Sequence, residues 1–123
     1  MNIKELHDYC LKKEGVTESF PFDNNTLVLK VLGKMFLLTS LKGWEEGEPS
    51  VNLKCDPERA EHLRANYDSI IPGFHMNKKH WNTLKLNQGE LPFPLVLELI
   101  DHSYDLVVKG LSKKLRDSLT DSL

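Results

Sequence analysis

The chain has 123 residues, 40% hydrophobic and 28% charged, with sixteen basic and eighteen acidic side chains and a formal net charge of −2. That composition excludes a disordered chain and leads us to expect one folded domain over residues 1–123. It also excludes an overall basic protein, so any basic surface must come from how the charges are distributed.

Asn2 is placed to cap a first helix in which Ile3, Leu6 and Cys10 share a face, and Gly15 is placed to stop it. The stretch "VTESFPFDNN" (16–25) reads as a loop. Two strands follow at 26–32 and 35–41, joined by a tight turn at Gly33-Lys34. Residues 42–49, with two glycines, a proline and three glutamates, read as an exposed connection. The next strand, 50–55, alternates cleanly, with Val51, Leu53 and Cys55 on one side and Asn52 and Lys54 on the other. Asp56 and Pro57 open a helix with Ala60, Leu63 and Tyr67 on its inner stripe.

"SIIPGF" (69–74) reads as a turn forced by Pro72-Gly73, and "HWNTLKL" (80–86) as a fourth strand. A long helix from about 92 to 108 carries Leu95, Leu99, Leu106 and Val107 as its stripe, and Gly110 ends it. A short polar helix capped by Ser112 closes the sequence. The sum is an α+β fold, with an antiparallel sheet of about four strands and helices packed mainly on one face. The other face is then available for binding.

No run is long and apolar enough to span a bilayer, and "MNIKELHDYC" lacks the apolar core of a secretory signal, so no membrane partner and a cytoplasmic location are expected. Cys10 and Cys55 both fall on apolar stripes and read as reduced, buried side chains. His75 and His80 are five apart, with no second pair to complete a metal site, and no cofactor motif occurs. In "DHSYD" (101–105), Asp101, His102 and Ser103 are neighbours on a helix and point in different directions, so no catalytic triad forms. Ser103 and Tyr104 read better as packing or capping groups, and the protein is expected not to be an enzyme.

Between Asp68 and Glu90 no acid occurs in 21 residues. The stretch holds Lys78, Lys79, Lys85, His75, His80, Asn77 and Trp81. Lysines neutralise phosphates, Asn and His bond phosphates or base edges, and an exposed aromatic ring stacks on a base. Lys54 falls on a neighbouring strand. A second basic cluster is Lys109, Lys113, Lys114 and Arg116. Whether Lys78 and Lys79 can act together depends on geometry: in a strand they point to opposite sides, and in a turn both can reach one ligand.

The blocks "ESFPF" (18–22), "KVLGKMF" (30–36), "LKCDPE" (53–58), "PGFHMNKKHWNT" (72–83) and "LIDHSYDLVVKGL" (99–111), in this order, resemble the MmcQ/YjbR family of small bacterial proteins. Phe74 stands where that family often has Tyr, and Asp23 where Gly is common. The resemblance implies a CyaY-like, double-wing α+β domain, labelled DNA-binding by fold-level analogy, with no catalytic residues and no cofactor.

The expectation is therefore a non-catalytic DNA-binding protein of low, salt-sensitive affinity. Its contact residues would be Lys54, His75, Asn77, Lys78, Lys79, His80, Trp81 and Lys85. The alternative is a protein-interaction module using the apolar outer faces of the first two strands with Phe20 and Phe22. A third reading is a small-molecule pocket between sheet and long helix, lined by His102 or Tyr104.

Overall fold

A computed structural model describes residues 1–121, with side chains through Leu119. The elements in chain order are α1 (Ile3–Leu11), β1 (Val16–Ser19), β2 (Thr26–Val31), β3 (Lys34–Ser40), α2 (Leu41–Glu45), β4 (Ser50–Lys54), α3 (Pro57–Asn66), β5 (Ile70–Pro72), β6 (Trp81–Lys85), α4 (Phe93–Lys109) and α5 (Lys113–Asp121). All pairings in the sheet are antiparallel and its order is β1-β2-β3-β4-β6-β5. The fold is α+β as expected, but with six strands rather than about four.

The two additional strands are the edges. β1 lies in the segment read as a loop and β5 in the one read as a turn. Each pairs on one side only, so neither needs the apolar run that marks an inner strand. β5 ends in Pro72, which an edge tolerates. Residues 41–45 form the short helix α2, capped by the Ser40 hydroxyl, which accepts the Gly43 N–H at 3.2 Å.

The β2–β3 turn is Leu32-Gly33, one residue earlier than the sequence suggests. Both residues have positive φ, 47° and 86°. A two-residue hairpin of matching twist needs positive φ at both central positions, so Leu32 is held in a left-handed conformation that glycine adopts freely. The Leu32 N–H donates to the Gly15 carbonyl at 3.1 Å.

The main core lies between one sheet face and α1, α3 and α4, built from residues such as Leu29, Phe36, Leu53, Leu84 and Ile100. The buried positions of α4 are Val96, Leu99, Ile100, Ser103 and Val107. The true stripe is turned from the expected one: Leu95 and Leu106 are only partly buried. A serine at its centre hides the periodicity. Cys10 and Cys55 are free and buried in this core, and burial pushes their thiols up to about 12 and about 11. Neither is a nucleophile at neutral pH.

Ser103 is inside for a reason. β3 and β4 pair directly only at Leu37–Leu53 and Leu38–Asn52. The pairing of β2 with β3 shifts at Leu29/Lys30, leaving Phe36 without a partner there. Where Phe36 and Lys54 would make the next rung of the β3–β4 ladder, the Ser103 hydroxyl replaces it. It accepts the Lys54 N–H at 2.9 Å and donates to the Phe36 carbonyl at 2.6 Å. Beyond the other end of the paired stretch, the Thr39 hydroxyl donates to the Ser50 carbonyl at 2.6 Å.

The neighbours of Ser103 hold other elements. Tyr9 of α1 donates to Asp101, the Asp56 N–H donates to His102 Nε2 at 3.2 Å, and the Tyr104 hydroxyl donates to the Glu14 carbonyl at 2.6 Å. Residues 101–104 thus form a structural clamp, in which Ser103 and Tyr104 cap other elements as expected.

Ser103→Ala strands a buried N–H and a buried carbonyl, and should lower unfolding free energy by ~2 kcal/mol in urea titration. His102 must be neutral at Nε2 to accept its bond. Burial, aided by Arg59, holds its pKa below the ordinary value. The unfolded chain therefore takes up that proton first. The His102 contribution is full above pH ~6.5 and falls as pH drops below it. Thermal unfolding between about pH 7.5 and 5.5 should show this loss in the parent protein and not in His102→Gln.

Candidate functional site

The second sheet face carries one transverse row, Ser19, Val28, Leu38, Asn52, Thr83 and Ile71, one residue from each strand. It is divided in two. Towards the β2–β3 turn, Trp81 with Met35 and Met76 packs on Val28 and Leu38 as a small second core. The apolar outer surface expected for β2 and β3 is thereby covered, and Val28 is fully buried. Towards the opposite end the face is bare and forms a cleft of about 800 Å³. That volume falls within the range of roughly 300–1,000 Å³ common for ligand sites.

The cleft floor includes Leu38 and Ser40 of β3, Ser50 and Asn52 of β4, and Thr83 and Lys85 of β6. It straddles the narrow β3–β4 pairing. One wall holds Phe22 and the other Phe74, His75 and Met76. The floor is recessed: Leu38 and Thr83 are 5% and 6% exposed, while Phe22 and Phe74 are 64% and 66% exposed.

Both walls are fixed by local chemistry. Asp23 accepts from the backbone N–H of Asn25 and Thr26 at 2.9 and 2.6 Å, closing the turn beside Phe22. These donors hold its carboxyl below the usual carboxylate range. Opposite, the Gly73 N–H donates to the Trp81 carbonyl at 2.8 Å, and the Phe74 N–H donates to Thr83 Oγ1 at 3.1 Å. Thr83 Oγ1 in turn donates to Asn52 Oδ1. His75 has φ +60° and its ring lies 4.1 Å from that of Phe74, centroid to centroid.

Lys78 and Lys79 lie in a turn, not in β6. The Asn77 carbonyl accepts from the N–H groups of His80 and Trp81, and Asn77 Oδ1 accepts from Lys79 N–H at 3.0 Å. Both lysines are exposed and leave the same turn. Lys54 and Lys85 are on the second face too, partly buried, with Lys85 in the cleft and Lys54 opposite Trp81 in register. Among the described residues none of these four lysines is ion-paired. Lys4, Lys13, Lys42 and Arg59 each meet a carboxylate.

The expected contact set is therefore split. His75 and Lys85 line the cleft, Asn77, Lys78 and Lys79 form the adjacent turn, and His80 is half-buried, its carbonyl accepting the Cys55 N–H. Trp81 is 8% exposed and packed in the second core, so its ring cannot stack on a ligand as expected. The third reading is also corrected: the cleft is on the opposite sheet face from α4, and His102 and Tyr104 are engaged in the clamp. Asn52 and Thr83 are additional. Their only sequence signal is a polar side chain on the strand face away from the core.

Residues 11–106 match the sequence profile of the YjbR family. The chain is 36% identical over 119 residues to the uncharacterized protein YjbR of Escherichia coli K12, covering 97% of this chain and 98% of that one. It is 41% identical over 118 residues to the uncharacterized protein YbdF of Escherichia coli O157:H7, covering 93% of each. The crystal structure of Deinococcus radiodurans protein DR2400, of domain DUF419, superposes with a TM-score of 0.86 at 40% identity, over 97% of this chain and 88% of that chain. A Pseudomonas syringae protein superposes with a TM-score of 0.71 at 26% identity, over 86% and 98%.

A Cβ on Gly73 would sit 2.7 Å from Trp81 Cβ and 3.0 Å from the Trp81 carbonyl oxygen. Gly73→Ala should therefore push the 74–77 wall off the sheet, at a cost of roughly 1–3 kcal/mol. Limited trypsin digestion should cut after Lys78 and Lys79 faster than in the parent protein, with far-UV circular dichroism unchanged.

Proposed function

The chain belongs to the YjbR family, and from that premise we propose that it is a non-catalytic DNA-binding protein whose contact surface is the second sheet face and its 74–81 wall. The observation that carries the reading is a set of lysines without ion pairs among the described residues, Lys78 Nζ donating to the Gly73 carbonyl at 3.4 Å. Lys78 and Lys79 share one exposed turn, Lys85 lies in the adjoining cleft, and all three fall in the 21-residue stretch without an acid. Glu90, which closes that stretch, is engaged by the Ser69 hydroxyl and backbone N–H. On a chain of net charge −2 these lysines are the cations that would meet phosphates and release counterions, although the cleft beside them also carries the carboxylates of Asp23 and Glu48. The non-catalytic part of the reading rests on Ser103, His102 and Asp101 each being committed to a structural bond.

A protein-interaction module is the rival, and the observation in its favour is the exposure of Phe20, Phe22 and Phe74. A sizing column or pull-down that captures a defined partner in place of DNA would favour it.

Fluorescence anisotropy with labelled DNA at low salt tests the proposal. Lys78→Glu with Lys79→Glu should weaken binding by about tenfold or more and reduce the slope of log affinity against log salt by about two. Unchanged affinity would remove this turn from the interface.

A further inference from the structure

We propose that the cleft receives one unstacked nucleotide, so that this protein takes nucleic acid as a single strand in preference to a duplex. The inference rests on the nucleic-acid reading above and names its substrate class.

The geometry carries it. A duplex offers phosphates and the edges of stacked bases; its ring faces are hidden. Here the most exposed large hydrophobic side chains are the rings of Phe22 and Phe74, on opposite walls of the cleft, with His75 against Phe74. Exposed rings bind the flat faces of bases without regard to sequence. Between them the floor reaches down to the buried Leu38 and Thr83, with the partly buried Asn52 beside them, so a base must leave its stack to reach it.

That floor is poised to donate. The Phe74 N–H occupies Thr83 Oγ1, directing its hydroxyl to Asn52 Oδ1. The Asn52 amide nitrogen has no partner among the described residues and lies at the cleft floor. It would address an acceptor on a base edge, a carbonyl oxygen or a ring nitrogen. Lys85 supplies a cation within the cleft with no ion pair among the described residues, while Asp23 and Glu48 line its rim, and Lys78 and Lys79 extend the positive charge along the strand's path. An apolar protein side chain would leave both the amide and Lys85 without an acceptor.

The test compares a labelled single-stranded oligonucleotide of about 12 residues with a hairpin duplex of the same sequence by anisotropy at low salt, with mononucleotides as competitors. The single strand should bind at least about tenfold more tightly. Phe74→Ala, a substitution at an exposed ring, should weaken single-strand binding by about tenfold and duplex binding by clearly less, so that the preference for the single strand shrinks. Asn52→Leu should act in the same direction. Competition by free mononucleotides at comparable concentration would show that the cleft recognises the nucleotide itself and supports the inference. Equal or tighter duplex binding, or a neutral Phe74→Ala, overturns the inference while leaving DNA binding in place. Absence of binding to either form overturns the DNA reading and this inference with it.

Discussion

The hydroxyl of Ser103 closes a gap that the backbone leaves open. β3 and β4 are the middle strands of a six-stranded sheet, yet they share only two directly paired positions. The irregularity at Phe36 sends that ring into the core, where it meets Tyr104 edge-on with centroids 5.5 Å apart. The cost is a broken ladder, and a buried unpaired amide or carbonyl is expensive. Ser103 satisfies one of each. The helix that carries it also binds α1 through Asp101 and the start of α3 through His102. The placement of α4 on the sheet, and so the shape of the core, follows from this run of four consecutive side chains.

Because helices occupy one face, the other must solve its own burial problem. It does so by halves. Trp81, Met35 and Met76 cover the apolar part over Val28 and Leu38. The polar part, from Ser40 and Ser50 to Asn52 and Thr83, needs no cover and stays open between two loops. The cleft is thus the remainder left when a small second core has taken the apolar half.

Much of this is legible in the residues. The 3.6-residue stripe of α1, the Asp56-Pro57 start of α3 and the strict alternation of 50–54 each state their element and inner face. The edge strands do not, because one-sided pairing leaves no periodic apolar signal in Val16–Ser19 or Ile70–Pro72. Trp81 misled for a related reason. An aromatic among lysines and histidines suggests a stacking surface, but its cover comes from β2, β3 and its own loop, which are distant or turned back. The cleft was hidden by the same separation, since its walls come from Phe22 and from Phe74–Met76, some fifty residues apart, and neither stretch alone has the pattern of a site. The lysine pair was visible as composition; only the Asn77 turn, invisible to periodicity, lets both side chains leave the same place.

The narrow join between β3 and β4 also has a mechanical meaning. It divides the sheet into β1-β2-β3, which carries Phe22 on the loop ahead of β2, and β4-β6-β5, which carries Phe74 on the loop ahead of β6. Two residue pairs and two hydroxyl bridges resist relative twist less than a full ladder would. This join runs beneath the cleft, parallel to the strands. The two phenylalanine jaws therefore belong to different halves of the sheet, and the packing of α4 across both β3 and β4 fixes the gap between them.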